Sequence, residues 1–131
     1  MSIFKINNDL NQLRGCILTY GHFSTIHPGH IRYLNYARSK GSNLVVALKG
    51  DKIENNRNIY NYTQKERSEA LNAINIIDDV ICLKDNEIDI LTEILEPYCL
   101  AFGKEFENPQ EEAIKKAIKL SSLSKQHLIK S

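Results

Sequence analysis

Three of the four histidines, His22, His27 and His30, fall in one short segment, and two of them bracket Pro28-Gly29. Imidazolium groups donate to phosphate oxygens and stabilise charge that builds on a leaving pyrophosphate. Gly29, lacking a Cβ, lets a phosphate come close to the backbone. His30 opens a helical pattern, and the free N–H groups and dipole of a helix N-terminus favour an anion. The segment therefore reads as a polyphosphate site. A single histidine would read as a solvated or capping loop residue, so the combination carries the argument. Zinc is the competing chemistry, since His27 and His30 have a spacing that can suit it on a helix. Pro28-Gly29 is a poor helical stretch, however, and no Cys or carboxylate is close in sequence, so no side-chain metal cluster is expected.

Such a segment needs elements that bring it to a ligand. In open parallel sheets, ligands bind beyond the carboxyl ends of the strands. Residues 16–20 form a β-prone apolar run that ends at Gly21 and reads as the first strand. After His30, the apolar residues Ile31, Leu34 and Ala37 recur at helical spacing, and Lys40-Gly41 supplies the stop. Leu44–Leu48 is continuously apolar, as expected of a strand buried on both faces. Residues 49–62 are polar without a period and read as a loop. Thr63 and Glu66 have capping-box spacing ahead of a helix that turns Ala70, Leu71, Ile74 and Ile77 inward.

Residues 80–83 give a third strand, and Ile88–Leu95 a helix stopped by Pro97. Residues 98–102 give a fourth strand, closed by Gly103. Residues 110–119 are helical, residues 121–124 interrupt, and a last helical turn follows with Ser124 as its N-cap. Ile3, Ile6, Leu10 and Leu13 give residues 1–14 a loosely helical pattern, an arm or short helix before the core. Strands alternating with helices predict an α/β fold with a parallel sheet. The expectation is one domain over residues 1–131, a complete small protein or a domain of a longer one.

Composition narrows the partners. Apolar residues make up 42 % and charged residues 25 %, and 17 basic side chains nearly balance 16 acidic ones. No basic stripe marks a nucleic-acid partner, so an anionic ligand is expected to be small and held locally. No apolar run suits membrane insertion, and the first residues lack a signal-peptide core. Cys16, Cys82 and Cys99 are widely spaced beside apolar runs and read as reduced core thiols, which suits a cytoplasmic protein.

Thr19-Tyr20-Gly21-His22-Phe23, followed by His27-Pro28-Gly29-His30-Ile31-Arg32-Tyr33-Leu34, resembles the T-x-G-x-F-D…H-x-G-H signature of the cytidylyltransferase-like nucleotidyltransferases. Glycerol-3-phosphate cytidylyltransferases and heptose 1-phosphate adenylyltransferase domains are similar branches. Asp51 matches an aspartate after the family's second strand, and Glu66-Arg67 matches a helix-start arginine. Asp78-Asp79-Val80-Ile81 matches the entry to the third strand, and Phe102-Gly103 the end of the fourth.

The resemblance implies a Rossmann-like parallel sheet with helices on both faces. It also implies NMP transfer from an NTP (CTP first, ATP next), with Mg²⁺, to a small phosphorylated acceptor such as glycerol 3-phosphate or a sugar phosphate. On that pattern His27 and His30 contact phosphates and stabilise the transition state. Arg57 or Lys52 stands for the family's loop lysines, and Arg67 holds phosphate or substrate. Thr19, Tyr20, Gly21, His22, Phe23, Gly29, Asp51 and Gly103 line the nucleotide. Near the C-terminus, Lys119 and Ser124 fall on the arginine and serine of a triphosphate-binding motif. Relatives of this kind form homodimers.

This chain departs from the pattern at several positions. His22 stands where a small hydroxyl residue is usual, and Ser24 where an acid follows the phenylalanine. The stretch from 103 to 124 is shorter, so a fifth strand is expected to be missing or replaced by the helix at 110–119. These departures keep a second reading open: a non-catalytic nucleotide-binding or interaction module. A third is a related enzyme acting on phosphopantetheine or nicotinamide mononucleotide, against which the match from Arg38 to Leu48 weighs.

Overall fold

In the computed structural model, which describes residues 2–24, 26, 28–41, 43–102, 112–123 and 127–130, the apolar runs become the interior of one sheet. In chain order its strands are β1 (Ser2–Lys5), β2 (Ile17–Gly21), β3 (Leu44–Leu48), β6 (Asp79–Cys82), β7 (Cys99–Phe102) and β8 (His127–Lys130). All pair in parallel, in the order β1-β6-β3-β2-β7-β8. Every residue of β2 and β3 is buried, which is why these strands read as unbroken apolar runs rather than alternating ones. A separate ribbon pairs β4 (Ile53–Glu54) with β5 (Arg57–Asn58).

Helices cover both faces. Leu34 and Ala37 of α1 (Pro28–Arg38) and Leu71 of α2 (Gln64–Asn72) pack with Ile17, Val46 and Val80. On the opposite face, Leu91 and Leu95 of α3 (Ile88–Leu95) and Ala113, Ile114 and Ala117 of α4 (Glu112–Leu123) pack with Leu18, Tyr20, Val45 and Ile81. From β2 the chain steps to β3 and β6 on one side, then crosses to β7 on the other. The carboxyl ends of β2 and β7 thus flank the point where strand order reverses, the place such sheets reserve for a ligand.

Four expectations are corrected. Residues 2–13 are not an arm or helix: Ser2–Lys5 is an edge strand on β6, and Asn11–Leu13 is a 3-10 turn. Only Leu10 and Leu13 bury their side chains from the helical-looking spacing; Ile3 is 43 % exposed, and a partner 77 positions away sets its conformation. Residues 49–62 are not all loop. The β4–β5 ribbon turns at Asn55-Asn56, both with positive φ (52° and 59°), as a two-residue hairpin turn of primed type requires. The last helix runs through residues 121–123 without interruption, because serine costs little in a helix held by packing. Finally, residues 127–130 are strand β8, not a helical turn. The fifth family strand is therefore present, and Ser124 lies outside the described residues.

The cysteines sit in or beside strands, with Cys16 and Cys99 buried and Cys82 half-buried. Burial pushes the Cys16 thiol from 9.0 up to about 12. The folded protein keeps this proton where the unfolded chain loses it. Its contribution to stability is therefore intact below about pH 9 and is lost as pH rises toward about 12. Cys16 is expected to be alkylated by iodoacetamide at pH 8 only through unfolding. Mass spectrometry with and without denaturant checks this, and labelling of native Cys16 at a free-thiol rate would contradict it. Among the described residues, no helix is long and apolar enough to cross a membrane.

Candidate nucleotide site

The site grows from the carboxyl end of β2. Thr19 is fully buried inside the sheet, where its hydroxyl donates to the Val45 carbonyl at 3.4 Å. It stiffens the strand rather than facing a ligand. Tyr20 is also buried, with the Lys49 ammonium 5.7 Å from its ring centre. The Gly21 carbonyl accepts from the Lys49 N–H at 2.9 Å, which closes β2 against β3 at their shared end.

Beyond Gly21 the chain turns sharply. Phe23 takes φ of 47°, a left-handed conformation that is uncommon for an aromatic residue. The turn drops its ring into the core under α1. α1 then starts at Pro28, a residue preset for the first helical position. Its first turn carries no acidic side chain to compete with an anion. His30 lies in that turn, half-buried, its ring tilted 53° against Phe23 with centroids 5.6 Å apart. The Tyr33 hydroxyl donates to the Ala101 carbonyl at 2.6 Å and pins α1 to β7. An open, shallow pocket of about 490 Å³, lined by Ile26, Pro28, Ile31 and Arg32, lies against the same end of the helix.

A second group of residues braces this turn from the side of α2. The capping box is formed: the Glu66 N–H donates to the Thr63 hydroxyl at 3.1 Å, and the Thr63 N–H donates to the Glu66 carboxylate at 3.0 Å. Those bonds hold the Glu66 carboxyl below the usual carboxylate range. With α2 fixed, Gln64 donates to the carbonyls of Leu48 and Leu83, bridging the ends of β3 and β6.

Arg67, expected as a ligand contact or a surface charge, is 2 % exposed. Its Nε donates to Tyr62 O at 3.0 Å. Nη1 donates to His22 O at 2.8 Å and to Lys49 O at 2.9 Å, and Nη2 to the Asp51 carboxylate at 3.0 Å. The guanidinium is thus a strut joining the ends of β2 and β3 to the polar loop. Asp51 also accepts from Asn58 and from the Gln64 N–H.

The remaining sequence candidates are distributed as follows. His22 is half-buried; its Nδ1 accepts from the Ser24 N–H at 3.3 Å, and its ring stacks on Tyr60. Gly29 is half-buried in the first turn of α1. Lys52 and Arg57 are exposed on the loop and ribbon, and Lys52 lies 3.8 Å from the Glu54 carboxylate. Lys119 is exposed on α4, a helix on the face opposite α1. His27, Gly103 and Ser124 lie outside the described residues.

Sequence reasoning missed Tyr33, Lys49, Gln64 and Tyr60. All but Tyr60 act at strand ends, largely through backbone groups, which leave no side-chain signature. The Asn55-Asn56 pair was the one local signal for the ribbon that carries Tyr60 toward the site.

Comparison with known proteins bears on the family and the fold. An FAD synthase of Methanosarcina barkeri is 28 % identical over 106 residues, covering 78 % of this chain and 76 % of that protein. An FAD synthase of Thermococcus sibiricus is 30 % identical over 111 residues, covering 82 % and 74 %. The bifunctional protein HldE of Hahella chejuensis is 32 % identical over 98 residues, covering 72 % of this chain but only 20 % of that protein. Among solved structures, a lipopolysaccharide core biosynthesis protein of Thermoplasma volcanium superposes with a TM-score of 0.67. The superposition covers 86 % of this chain and 92 % of that one at 21 % identity, a likeness of fold. Residues 18–128 match the cytidylyltransferase-like family across nearly the whole sheet, so the chain belongs to that family.

Proposed function

We propose that the protein transfers a nucleoside monophosphate from an NTP to a small phosphorylated acceptor and releases pyrophosphate. The observation that carries this reading is His30, seated on Phe23 in the first turn of α1 at the strand-order reversal. A polyphosphate placed there meets helix N–H groups and an imidazole held in one orientation. A phosphate oxygen of the acceptor attacks the α-phosphorus, the bond to the bridging oxygen breaks, and the electron pair leaves with pyrophosphate. No covalent enzyme intermediate is needed, so positioning and charge stabilisation supply the catalysis. On the family pattern His27 takes the same role as His30, and Lys52 or Arg57 approaches the α-phosphate from the polar loop and its ribbon.

Mg²⁺ enters with the polyphosphate, since it is commonly held by substrate phosphates and one or two carboxylates. The first turn of α1, where His30 lies and no side chain is acidic, would leave the phosphate oxygens themselves to hold the ion. Bound there, Mg²⁺ would neutralise phosphate charge.

Resemblance of sequence ranks CTP before ATP as donor. FAD contains an adenylyl group, so the FAD synthase relatives shift the preference to ATP. Glycerol 3-phosphate, a sugar phosphate and a flavin phosphate are the acceptors to try, with the protein acting as a cytoplasmic homodimer. The alternative, a nucleotide-binding module without turnover, draws support from Ser24, which hydrogen-bonds to His22 where the family pattern has an acid.

Pyrophosphate release measured over the four NTPs, with Mg²⁺ and each acceptor, separates the two. Turnover with one NTP is expected. If no combination turns over while an NTP still raises the melting temperature, the module reading stands instead.

A further inference from the structure

An aromatic contact joins the phosphate segment to the polar loop. The rings of His22 and Tyr60 lie 4.6 Å apart at 9° from parallel. The Arg67 guanidinium lies 5.1 Å from the centre of the same tyrosine ring while holding the His22 carbonyl. The His22 Nδ1 accepts from the Ser24 N–H, so its ring proton sits on Nε2 in the neutral form. Tyr60 is delivered by the ribbon: its N–H donates to the Asn58 side chain, and the Ile59 N–H donates to Lys52 O.

We infer that Tyr60 is a positioning residue of the nucleotide site. By stacking on His22 it clasps the β4–β5 ribbon, with Lys52 and Arg57, across the carboxyl edge of the sheet, and it fixes the His22 ring with Nδ1 toward Ser24. The role in turnover rests on the function proposed above; the clasp does not. The stack needs a ring and not a hydroxyl, so phenylalanine should replace tyrosine where alanine cannot. Loss of an aromatic pair of this kind is read as a change of about fivefold to tenfold.

The test compares Tyr60→Ala, Tyr60→Phe and wild type in three measurements. The first is trypsin cleavage after Lys52 and Arg57 in the folded protein. Cleavage is expected about tenfold faster in Tyr60→Ala and unchanged in Tyr60→Phe. The second is the ring ¹⁵N spectrum of His22, expected to show an unprotonated Nδ1 in wild type and Tyr60→Phe and a mixture of tautomers in Tyr60→Ala. The third is steady-state pyrophosphate release. KM for the NTP is expected to rise about fivefold to tenfold in Tyr60→Ala with kcat little changed, and Tyr60→Phe should restore it. Equal trypsin rates and an unaltered His22 spectrum in Tyr60→Ala would overturn the clasp. Those two readouts need no turnover, so failure of the clasp and failure of the proposed reaction are told apart.

Discussion

His30→Ala is expected to lower kcat for pyrophosphate release by on the order of 100-fold or more, with a much smaller rise in KM for the NTP. Phosphate oxygens gain negative charge as the leaving pyrophosphate departs, so a donor aimed at them contributes more in the transition state than in the ground state. His30 is suited to this because it is held. Its ring lies against Phe23, and Phe23 is fixed by its left-handed backbone and its burial. Alanine removes the donor but leaves the helix N–H groups, so nucleotide binding measured by calorimetry should largely survive. A variant that keeps wild-type kcat would remove His30 from the chemistry.

Arg67→Met should be as damaging by a different route. Methionine fills much of the space but donates nothing, so the carbonyls of His22 and Lys49 lose this donor, while the Tyr62 carbonyl keeps the Asn58 amide. An orphaned buried acceptor costs about 1–3 kcal/mol. The two together should destabilise the fold by about 2 kcal/mol or more, a large part of the total for a domain of this size. The bond to Asp51 is the less costly one to alter, because that carboxylate is 38 % exposed and asparagine keeps an acceptor oxygen in its place. Asp51→Asn is therefore expected to shift the urea midpoint only slightly, while Arg67→Met shifts it strongly and loses activity with it. Arg67→Lys should fall between them, since an ammonium cannot reproduce the planar fork. Equal midpoints for Asp51→Asn and Arg67→Met would show that the carbonyl contacts carry no weight.

The parts of the fold legible in the sequence are those whose cause is local or set by burial. Leu44–Leu48 and Ile17–Gly21 are buried on every residue, so composition alone marks them. Thr63 and Glu66 satisfy each other within one turn, and their spacing announced α2. What escaped was set by distant partners. Ser2–Lys5 is a strand because residues 79–82 offer an edge, and His127–Lys130 because β7 offers the other. Neither segment carries a pattern of its own.

The candidate site divides in the same way. Histidines bracketing a Pro-Gly pair are visible as letters. The burial of Arg67 is not, because three of its four acceptors are main-chain carbonyls that any residue could supply. His22 departs from the family pattern, and its stack on Tyr60 gives the substitution a partner 38 positions along the chain.

The pairing of Ser2–Lys5 with Asp79–Cys82 also bears on how the chain is made. Of the sheet strands, Ser2–Lys5 is made before the others and has no neighbour until the fourth has emerged. Until then its backbone donors and acceptors are open to water or to other nascent chains, a hazard native edge strands must survive. Long-range parallel pairing of this kind slows folding. A bulky group attached beside this edge strand would therefore compete with its pairing in a way that one placed elsewhere on the surface does not.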